Sequence, residues 1–167
     1  MLRLRRSRQP SPIGEMLLVT DDDGALRALY FADYVDRLDR SLRVSYPRYA
    51  LVDADAPKAM TRALAAYFAG DLAQLDAIRV ATAGTHFQQE VWTALRGVPV
   101  GTTTTYGALA TQLGRPTAMR AVGAANGANP VSIVVPCHRI IGANGDLTGY
   151  GGGMARKQWL LAHEARR

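Results

Sequence analysis

The sequence predicts an α+β fold, in which a small N-terminal antiparallel sheet with a helix precedes a mostly helical C-terminal domain. Three observations lead to this prediction. Short apolar runs flank an Asp-Asp-Asp-Gly turn, apolar residues recur at helical spacing from residue 57, and two short helical patterns are separated only by an Arg-Pro pair. We assign residues 1–82 to the first domain and residues 83–167, which contain a predicted helix-turn-helix and the only cysteine, to the second.

The N-terminal domain begins with the basic segment MLRLRRSRQ, for which we expect a solvated arm outside the sheet. The following stretch, SPIGEMLLVTDDDGALRALYF, has the pattern of a β-hairpin, and YALVDAD is a further strand candidate. From Pro57, the sequence PKAMTRALAAYFAG predicts a helix that ends at Gly70. The apolar run after the basic start is too short for a signal peptide or a membrane span, so we expect a cytoplasmic protein that does not enter a membrane.

The C-terminal domain is predicted to begin with a helix capped by Thr85, with Gln88 completing a capping box. One face of this helix is apolar: Phe87, Val91, Trp92 and Leu95. The segments TTYGALATQLG and TAMRAVGAANGANP then predict the two helices of the helix-turn-helix. A last amphipathic helix follows in MARKQWLLAHE, and its expected inward face consists of Ala155, Trp159 and Leu160.

The formal net charge of +6 is concentrated in the C-terminal half. Residues 84–167 contain eight Lys or Arg against three acidic residues, a net charge of +5, whereas residues 1–83 carry +1. This distribution favours a polyanionic partner such as nucleic acid, although basic halves also occur in proteins that never bind DNA. The single cysteine excludes an internal disulfide, a CxxC redox pair and a multi-cysteine zinc site, and His86 alone cannot hold a metal.

The second helix of the predicted pair has almost no side-chain bulk apart from Arg120. Its small residues are Ala118, Ala121, Gly123, Ala124 and Ala125. Such a helix can pack closely against a neighbouring helix. It can also approach DNA closely while the one long cation reaches further in.

The only cysteine lies in the apolar segment VSIVVPCHRIIG, which predicts a buried strand that ends or bends at Pro136. A lone buried cysteine is usually an inert core residue. However, His138 is adjacent to Cys137, and Glu164 is the most suitable carboxylate in this domain to orient an imidazole ring. A thiol, a base and an orienting acid form the general arrangement that activates a cysteine nucleophile. Adjacent side chains on a regular strand point to opposite faces, so cooperation between Cys137 and His138 requires the backbone to turn.

Several motifs occur in the order and spacing of one known family. PCHRIIG closely resembles the active-site signature of the 6-O-alkylguanine-DNA alkyltransferases, also called methylated-DNA–protein-cysteine methyltransferases. FQQEVW, TTYGALA, RAVGAANGANP, LTGYGGG and KQWLLAHE extend the resemblance over the chain from about Thr85 onward, and SPIG and AYFAG extend it more loosely toward the N-terminus. The resemblance implies an RNase H-like N-terminal domain and a C-terminal domain for DNA binding and alkyl transfer.

The resemblance also implies roles for individual residues. Cys137 would accept the alkyl group, His138 would deprotonate the thiol through a water, and Glu164 would orient the imidazole. Asn129 would support the turn that carries the active-site backbone. Tyr106 would contact the lesion's phosphate and offer a proton to the departing guanine oxygen.

Further roles concern the DNA and the lesion. Arg120 would fill the space that the damaged base leaves in the stack. Other residues implied at the DNA surface are Thr103, Thr105, Ala121 and Gly123. The residues implied in the substrate pocket are Val135, Pro136, Tyr150 and Gly151. Gly151 stands where some family members have serine, so one hydrogen bond to the base would be missing.

The function implied is DNA repair by direct, irreversible, single-turnover transfer of an alkyl group from 6-O-alkylguanine, and from 4-O-alkylthymine, to the protein's own cysteine. The partner would be double-stranded alkylated DNA bound through its minor groove, with the base flipped out. No cofactor would be needed, and a monomer would suffice, with cooperative assembly on DNA left open. Two other classes fit the residues: a non-catalytic module that flags lesions, and a cysteine hydrolase using Cys137 and His138.

Overall fold

The structure is a computed structural model that describes residues 1–145, 147 and 149–165. Outside the described residues lie Thr148 of the LTGYGGG motif and three charged residues counted above: Asp146, Arg166 and Arg167. The chain divides into two compact units, Met1–Ala83 and Gly84–Arg167. The predicted α+β class is confirmed, because the first unit contains a four-stranded sheet with helices and the second is mostly helical.

The sheet of the first unit contains β1 (Leu2–Gln9), β2 (Met16–Asp21), β3 (Leu26–Phe31) and β4 (Tyr49–Asp53), in the order β3-β2-β1-β4. The predicted hairpin is confirmed as the antiparallel pair of β2 and β3, and the YALVDAD segment is confirmed as β4. The sheet is mixed rather than antiparallel throughout, because β4 pairs in parallel with β1. The connection from β3 to β4 contains helix α1 (Val35–Ser45), and a connection of this kind lets the chain re-enter the sheet in the same direction.

The hairpin turn between β2 and β3 is held by the side chain of Asp21. Its Oδ1 accepts hydrogen bonds from the backbone N–H groups of Asp23 and Ala25, at 2.9 and 3.0 Å. Gly24 adopts a φ of 80°, a conformation that favours glycine. The Asp-Asp-Asp-Gly sequence therefore forms the turn through a local side-chain bond and one permissive residue.

The expectation of a solvated N-terminal arm is wrong, because residues 2–9 form β1 in the interior of the sheet, between β2 and β4. Leu4 is fully buried in the core of this unit. The arginines of the strand form ion pairs with acidic residues of neighbouring segments, such as Arg3 with Asp22 at 2.9 Å. Alternation of leucine and arginine thus places apolar side chains in the core, while the arginines find acidic partners across the sheet.

Two helices accompany the sheet. Helix α1 was not predicted, because only Leu38 and Leu42 are buried among many charged residues. Both leucines pack in the core cluster that also contains Leu4. The predicted helix after Pro57 is confirmed as α2 (Lys58–Phe68), and the chain leaves it at Gly70, where φ is 111°.

The second unit contains four helices in its described part: α3 (His86–Arg96), α4 (Tyr106–Gln112), α5 (Met119–Gly127) and α6 (Met154–Ala165). The predicted capping box is confirmed at the start of α3, where Thr85 Oγ1 accepts from Gln88 N and Gln88 Oε1 accepts from Thr85 N. A short parallel pair, β5 (Thr104–Thr105) and β6 (Ile140–Ile141), was not predicted. Two residues form too short a strand to leave a periodic sequence pattern.

The predicted inward face of α6 is partly wrong. Leu160 is buried and Trp159 is half-buried, but Ala155 is exposed. The other buried residues of this helix are polar: Lys157, His163 and Glu164. An apolar pattern cannot identify a helix face that packs through hydrogen-bonded charged groups.

Helices α4 and α5 form the predicted helix-turn-helix pair, and α3 anchors α5 through Trp92. The indole Nε1–H of Trp92 donates to the carbonyl of Ala125 at 2.8 Å. Gly84 lies so close to this indole that an added Cβ would be 2.7 Å from the ring. In the part of the chain that the structure describes, no helix has the length and apolar character needed to cross a membrane.

Leu4→Ala should lower the free energy of unfolding by about 2–5 kcal/mol, because it opens a cavity beneath an interior strand. Urea denaturation of the full chain measures this loss. Arg3→Ala is the matched control on the same strand; its side chain is 76% exposed, so its loss should stay below about 1 kcal/mol. Equal, small losses for both variants would contradict the placement of residues 2–9 in the sheet.

Candidate active site

The apolar segment before the cysteine is a buried turn, so the predicted strand is wrong. Residues 132–134 form a turn and residue 135 a bend, and Ile133 has a φ of 73°. Asn129 holds this turn from within. Its Oδ1 accepts from the backbone N–H of Val131 at 2.9 Å, and its Nδ2 donates to the carbonyl of Val135 at 2.9 Å. The side chain of Asn129 thus supplies bonds that a neighbouring strand would otherwise supply.

Cys137 and His138 lie in a short 3₁₀ helix, Cys137–Arg139, that starts directly after Pro136. The side chain of Cys137 is nearly buried, and that of His138 is fully buried. The backbone therefore turns at this point, as cooperation between these two side chains requires, and the turn begins before the proline. Val135 and Pro136, both assigned to the pocket, are buried beside the cysteine.

Glu164 on α6 connects His138 to the cation Arg139. Its Oε2 lies 2.7 Å from His138 Nε2, and its Oε1 accepts from Arg139 Nε at 2.7 Å. Burial raises the pKa of Glu164, but hydrogen bonds from His138 and Arg139 outweigh burial and hold the pKa at about 2. The carboxylate is therefore ionised at neutral pH and can only accept, so His138 Nε2 carries a proton.

The other imidazole nitrogen of His138 is the basic one. Burial lowers the pKa of His138, as do the positive charges of Arg139 and Lys157, and together these effects outweigh the Glu164 carboxylate, which raises it. The ring is therefore neutral at neutral pH. With the proton on Nε2, the Nδ1 atom holds a lone pair. Nδ1 is buried and has no hydrogen-bond partner among the described residues. It is available to accept a proton.

Arg139 and Lys157 are buried cations that the sequence reasoning missed. Arg139 is bound to Glu164, and its Nη1 also donates to the carbonyl of Val98 at 2.8 Å. Lys157 is completely buried, and its Nζ donates to the carbonyl of Ile140 at 2.6 Å. The only sequence signal for Arg139 is a charged residue within an apolar segment. Lys157 has no such signal, because its place in the sequence looks like an ordinary exposed helix position.

Burial raises the pKa of the Cys137 thiol to about 11, against the opposing effects of a hydrogen bond with Asn129 and the positive charge of Lys157. The thiol is therefore protonated at neutral pH. A thiol is a weak nucleophile in that form, so reaction at Cys137 requires a base. His138 Nδ1 is the neighbouring group with that capacity.

Tyr150 forms part of the same environment as His138 and Cys137. The ring of Tyr150 meets His138 edge to face, with the centroids 6.4 Å apart. Burial, followed by the neighbouring Cys137, raises the pKa of the Tyr150 hydroxyl well above 10, so it stays protonated. Gly151 is exposed.

The residues assigned to DNA contact lie on α5 or directly before α4. Arg120, Ala121 and Thr103 are exposed. Thr105 caps α4, since its Oγ1 accepts from the backbone N–H of Ala108 at 3.0 Å. Gly123 faces the ring of Tyr106, and an added Cβ there would lie 3.6 Å from the ring. These small residues therefore serve the packing of α4 against α5 as well as any DNA surface.

Metal ligation has no geometric basis in the described residues, where no three His, Cys, Asp or Glu side chains form a group that could hold an ion. His86 instead pairs with Glu90, with Nε2 and Oε1 separated by 3.2 Å. Glu164 is bound to His138 and Arg139, and Lys157 to a backbone carbonyl, whereas His138 Nδ1 has no partner among the described residues. The site therefore offers acid–base and nucleophilic groups of the protein itself.

The class of protein follows from the match of both halves of the chain to the domains of one family. Residues 4–82 match the ribonuclease-like domain of 6-O-methylguanine DNA methyltransferase, and residues 86–166 match the DNA binding domain of the same class. Together these matches span both structural units. The resemblance found in the sequence motifs is confirmed, and the chain belongs to the methylated-DNA–protein-cysteine methyltransferase family.

Individual relatives agree with this assignment. The methylated-DNA–protein-cysteine methyltransferase of Salmonella typhimurium is 54% identical over 166 residues, which cover 98% of this chain and 97% of the relative. Mycobacterium tuberculosis OGT, solved in complex with DNA, superposes with a TM-score of 0.83 at 41% identity, covering 96% of this chain and 92% of that one. The Pyrococcus kodakaraensis O6-methylguanine-DNA methyltransferase has a TM-score of 0.76 at 25% identity, covering 98% and 99%.

Glu164→Gln should lower the free energy of unfolding by about 3–5 kcal/mol at neutral pH, because it leaves Arg139 buried without its carboxylate. The pKa of Glu164 is about 2 in the fold against an ordinary 4.5. The stabilisation is therefore complete above pH 4.5 and declines as the pH falls toward 2, so the difference between wild type and variant should shrink over that range. Urea denaturation at several pH values measures both effects.

Glu90→Gln is the control for this prediction. Glu90 pairs with Arg115 at 3.2 Å near the surface, so its removal should cost no more than about 1 kcal/mol. A Glu164→Gln loss as small as that of Glu90→Gln would show that the buried carboxylate does not hold the site together.

Proposed function

We propose that this protein repairs alkylated DNA by transferring the alkyl group of 6-O-alkylguanine irreversibly to Cys137. The observation that carries the proposal is that the only thiol precedes His138 directly in one 3₁₀ helix, and that Glu164 fixes the Nε2 atom of this imidazole. A buried thiol with a pKa of about 11 needs such a base. The similar proteins named methylated-DNA–protein-cysteine methyltransferase support the choice of reaction.

The chemical step begins at the imidazole. His138 Nδ1 takes the thiol proton through a water, and the sulfur attacks the alkyl carbon. The S–C bond forms as the C–O bond to the guanine breaks, and the electron pair of that bond goes to the guanine oxygen. Tyr106 donates a proton to this oxygen and recovers one through solvent from His138, so that one proton passes overall from the thiol to the guanine.

Binding to double-stranded DNA precedes this step. A guanine inside a duplex cannot reach a buried thiol, so the base is flipped out at a cost of a few kcal/mol. Arg120 occupies the vacated space, and the small side chains of Ala121 and Gly123 allow α5 to approach the minor groove. The net charge of +5 over residues 84–167 supports affinity for phosphates, with Thr103 and Thr105 at the same surface.

The product explains why the protein acts once. Transfer leaves a thioether on Cys137, and the chain has no second cysteine. A thioether, unlike a disulfide or an acyl-cysteine, has no leaving group that a thiol or water displaces under mild conditions. One monomer therefore accepts one alkyl group in the cytoplasm, without a cofactor, and 4-O-alkylthymine is a second substrate of the same chemistry.

Incubation with an oligonucleotide that carries 6-O-methylguanine should add one methyl group per protein, located on the Cys137 peptide by mass spectrometry. Cys137→Ala should abolish the transfer and retain DNA binding, because the side chain is almost entirely buried. Binding without methylation of wild type would favour a lesion-flagging module. Turnover with a regenerated thiol would favour a hydrolase.

Arg120→Ala should slow repair of duplex DNA at least about tenfold while leaving transfer from free 6-O-methylguanine unchanged, because only the duplex requires base flipping. Rates of Cys137 methylation with the two substrates provide the comparison. Arg115→Ala is the control, since Arg115 is a half-exposed arginine already paired with Glu90. Equal losses on both substrates would contradict the role of Arg120 in base flipping.

A further inference from the structure

Met119 is a large apolar side chain on the surface of the second unit. It is the first residue of α5, directly before Arg120, and it is 48% exposed. Its neighbours in sequence, Ala118 and Ala121, are small. Half of a thioether side chain therefore faces solvent at the end of α5 that carries the exposed arginine.

Contacts with α4 hold the buried half of Met119 in place. An added Cβ at Gly107 would lie 3.6 Å from the Met119 Sδ and 3.7 Å from its Cε, so the side chain rests on the surface of α4 at this glycine. The opposite contact occurs between Tyr106 and Gly123 of α5. A side chain of each helix thus packs against a glycine of the other. One side of Met119 contacts α4, and its other side is exposed to solvent.

We infer that Met119 is an apolar wedge that packs against the sugar and base next to the nucleotide flipped by Arg120. This inference rests on the proposed function. Proteins that enter the minor groove insert apolar side chains, methionine among them, at base steps that they unstack. The exposed half of Met119 is positioned to cover the apolar face of a base step that Arg120 opens.

The charge around Met119 favours DNA over a second copy of this chain as the occupant. Arg120 is adjacent and exposed, and residues 84–167 carry a net charge of +5. Two copies meeting through Met119 would bring two Arg120 side chains together, whereas phosphates would neutralise them. Covering the exposed half of a methionine contributes roughly a tenfold change in affinity.

The apolar contact and the charged contact differ in their response to salt. Removing Arg120, whose positive charge is brought against the DNA, weakens binding and lowers the dependence on salt concentration by about one released counterion. Removing an apolar wedge weakens binding by the same factor at every salt concentration. The slope against salt therefore separates Met119 from Arg120 even where their losses of affinity are equal.

Duplex binding is measured in the Cys137→Ala background over a range of salt concentrations. Methyl transfer is measured in protein that retains Cys137, with duplex DNA and with free 6-O-methylguanine as substrates. Met119→Ala should weaken duplex binding roughly tenfold with an unchanged salt slope, and leave transfer from the free base intact. Met119→Leu, which keeps the apolar bulk, should stay close to wild type. Val44→Ala, at a residue 81% exposed in the first unit, is the control and should change nothing.

Wild-type affinity in Met119→Ala would overturn the inference, as would equal loss of transfer from duplex and free base, which indicates a structural defect. A reduced salt slope would assign the effect to a displaced Arg120 and would also overturn it. Failure of the proposed function has a different signature, since wild-type protein would then gain no methyl group from either substrate.

Discussion

The carboxylate of Glu164 is bonded to two side chains from one short 3₁₀ helix, and the rest of the active site depends on this interaction. A buried charge is tolerated only when its partners satisfy it, and His138 and Arg139 do so at 2.7 Å each. Arg139 extends the connection to the backbone of Val98. One acidic side chain thereby fixes the position of α6 against the segment that carries the thiol, and it also fixes which imidazole nitrogen is protonated.

Burial creates the chemical problem that this arrangement solves. The same surroundings that enclose Cys137 raise the pKa of its thiol to about 11 and lower the pKa of His138. The thiol is thus kept protonated, and therefore unreactive, while the imidazole is kept neutral and able to accept a proton. A protonated thiol is protected from other electrophiles, which suits the proposed single transfer to Cys137.

The sequence predicted which residues meet at this site better than it predicted the backbone around them. Cys137, His138 and Glu164 were assigned from residue type and motif, and the structure places the last two in direct contact. The apolar pattern at 131–135 predicts a strand, but the segment is a buried turn. Its backbone groups bond to the side chain of Asn129 instead of a neighbouring strand, and this difference leaves the apolar pattern unchanged. The sequence suggests an arm at β1, because the acidic partners of its arginines are distant in sequence. The burial of Lys157 is not predictable for the same reason, since tertiary partners decide whether a charge is buried.

The proposed reaction depends on a neutral His138, held by Glu164 with its proton on Nε2 and its lone pair on Nδ1. Imidazole nitrogen NMR of isotope-labelled protein measures this directly, with the His138 signals assigned by comparison with His138→Gln. At neutral pH, the expected spectrum is that of the neutral tautomer protonated at Nε2. An imidazolium, or a proton on Nδ1, would contradict the claim.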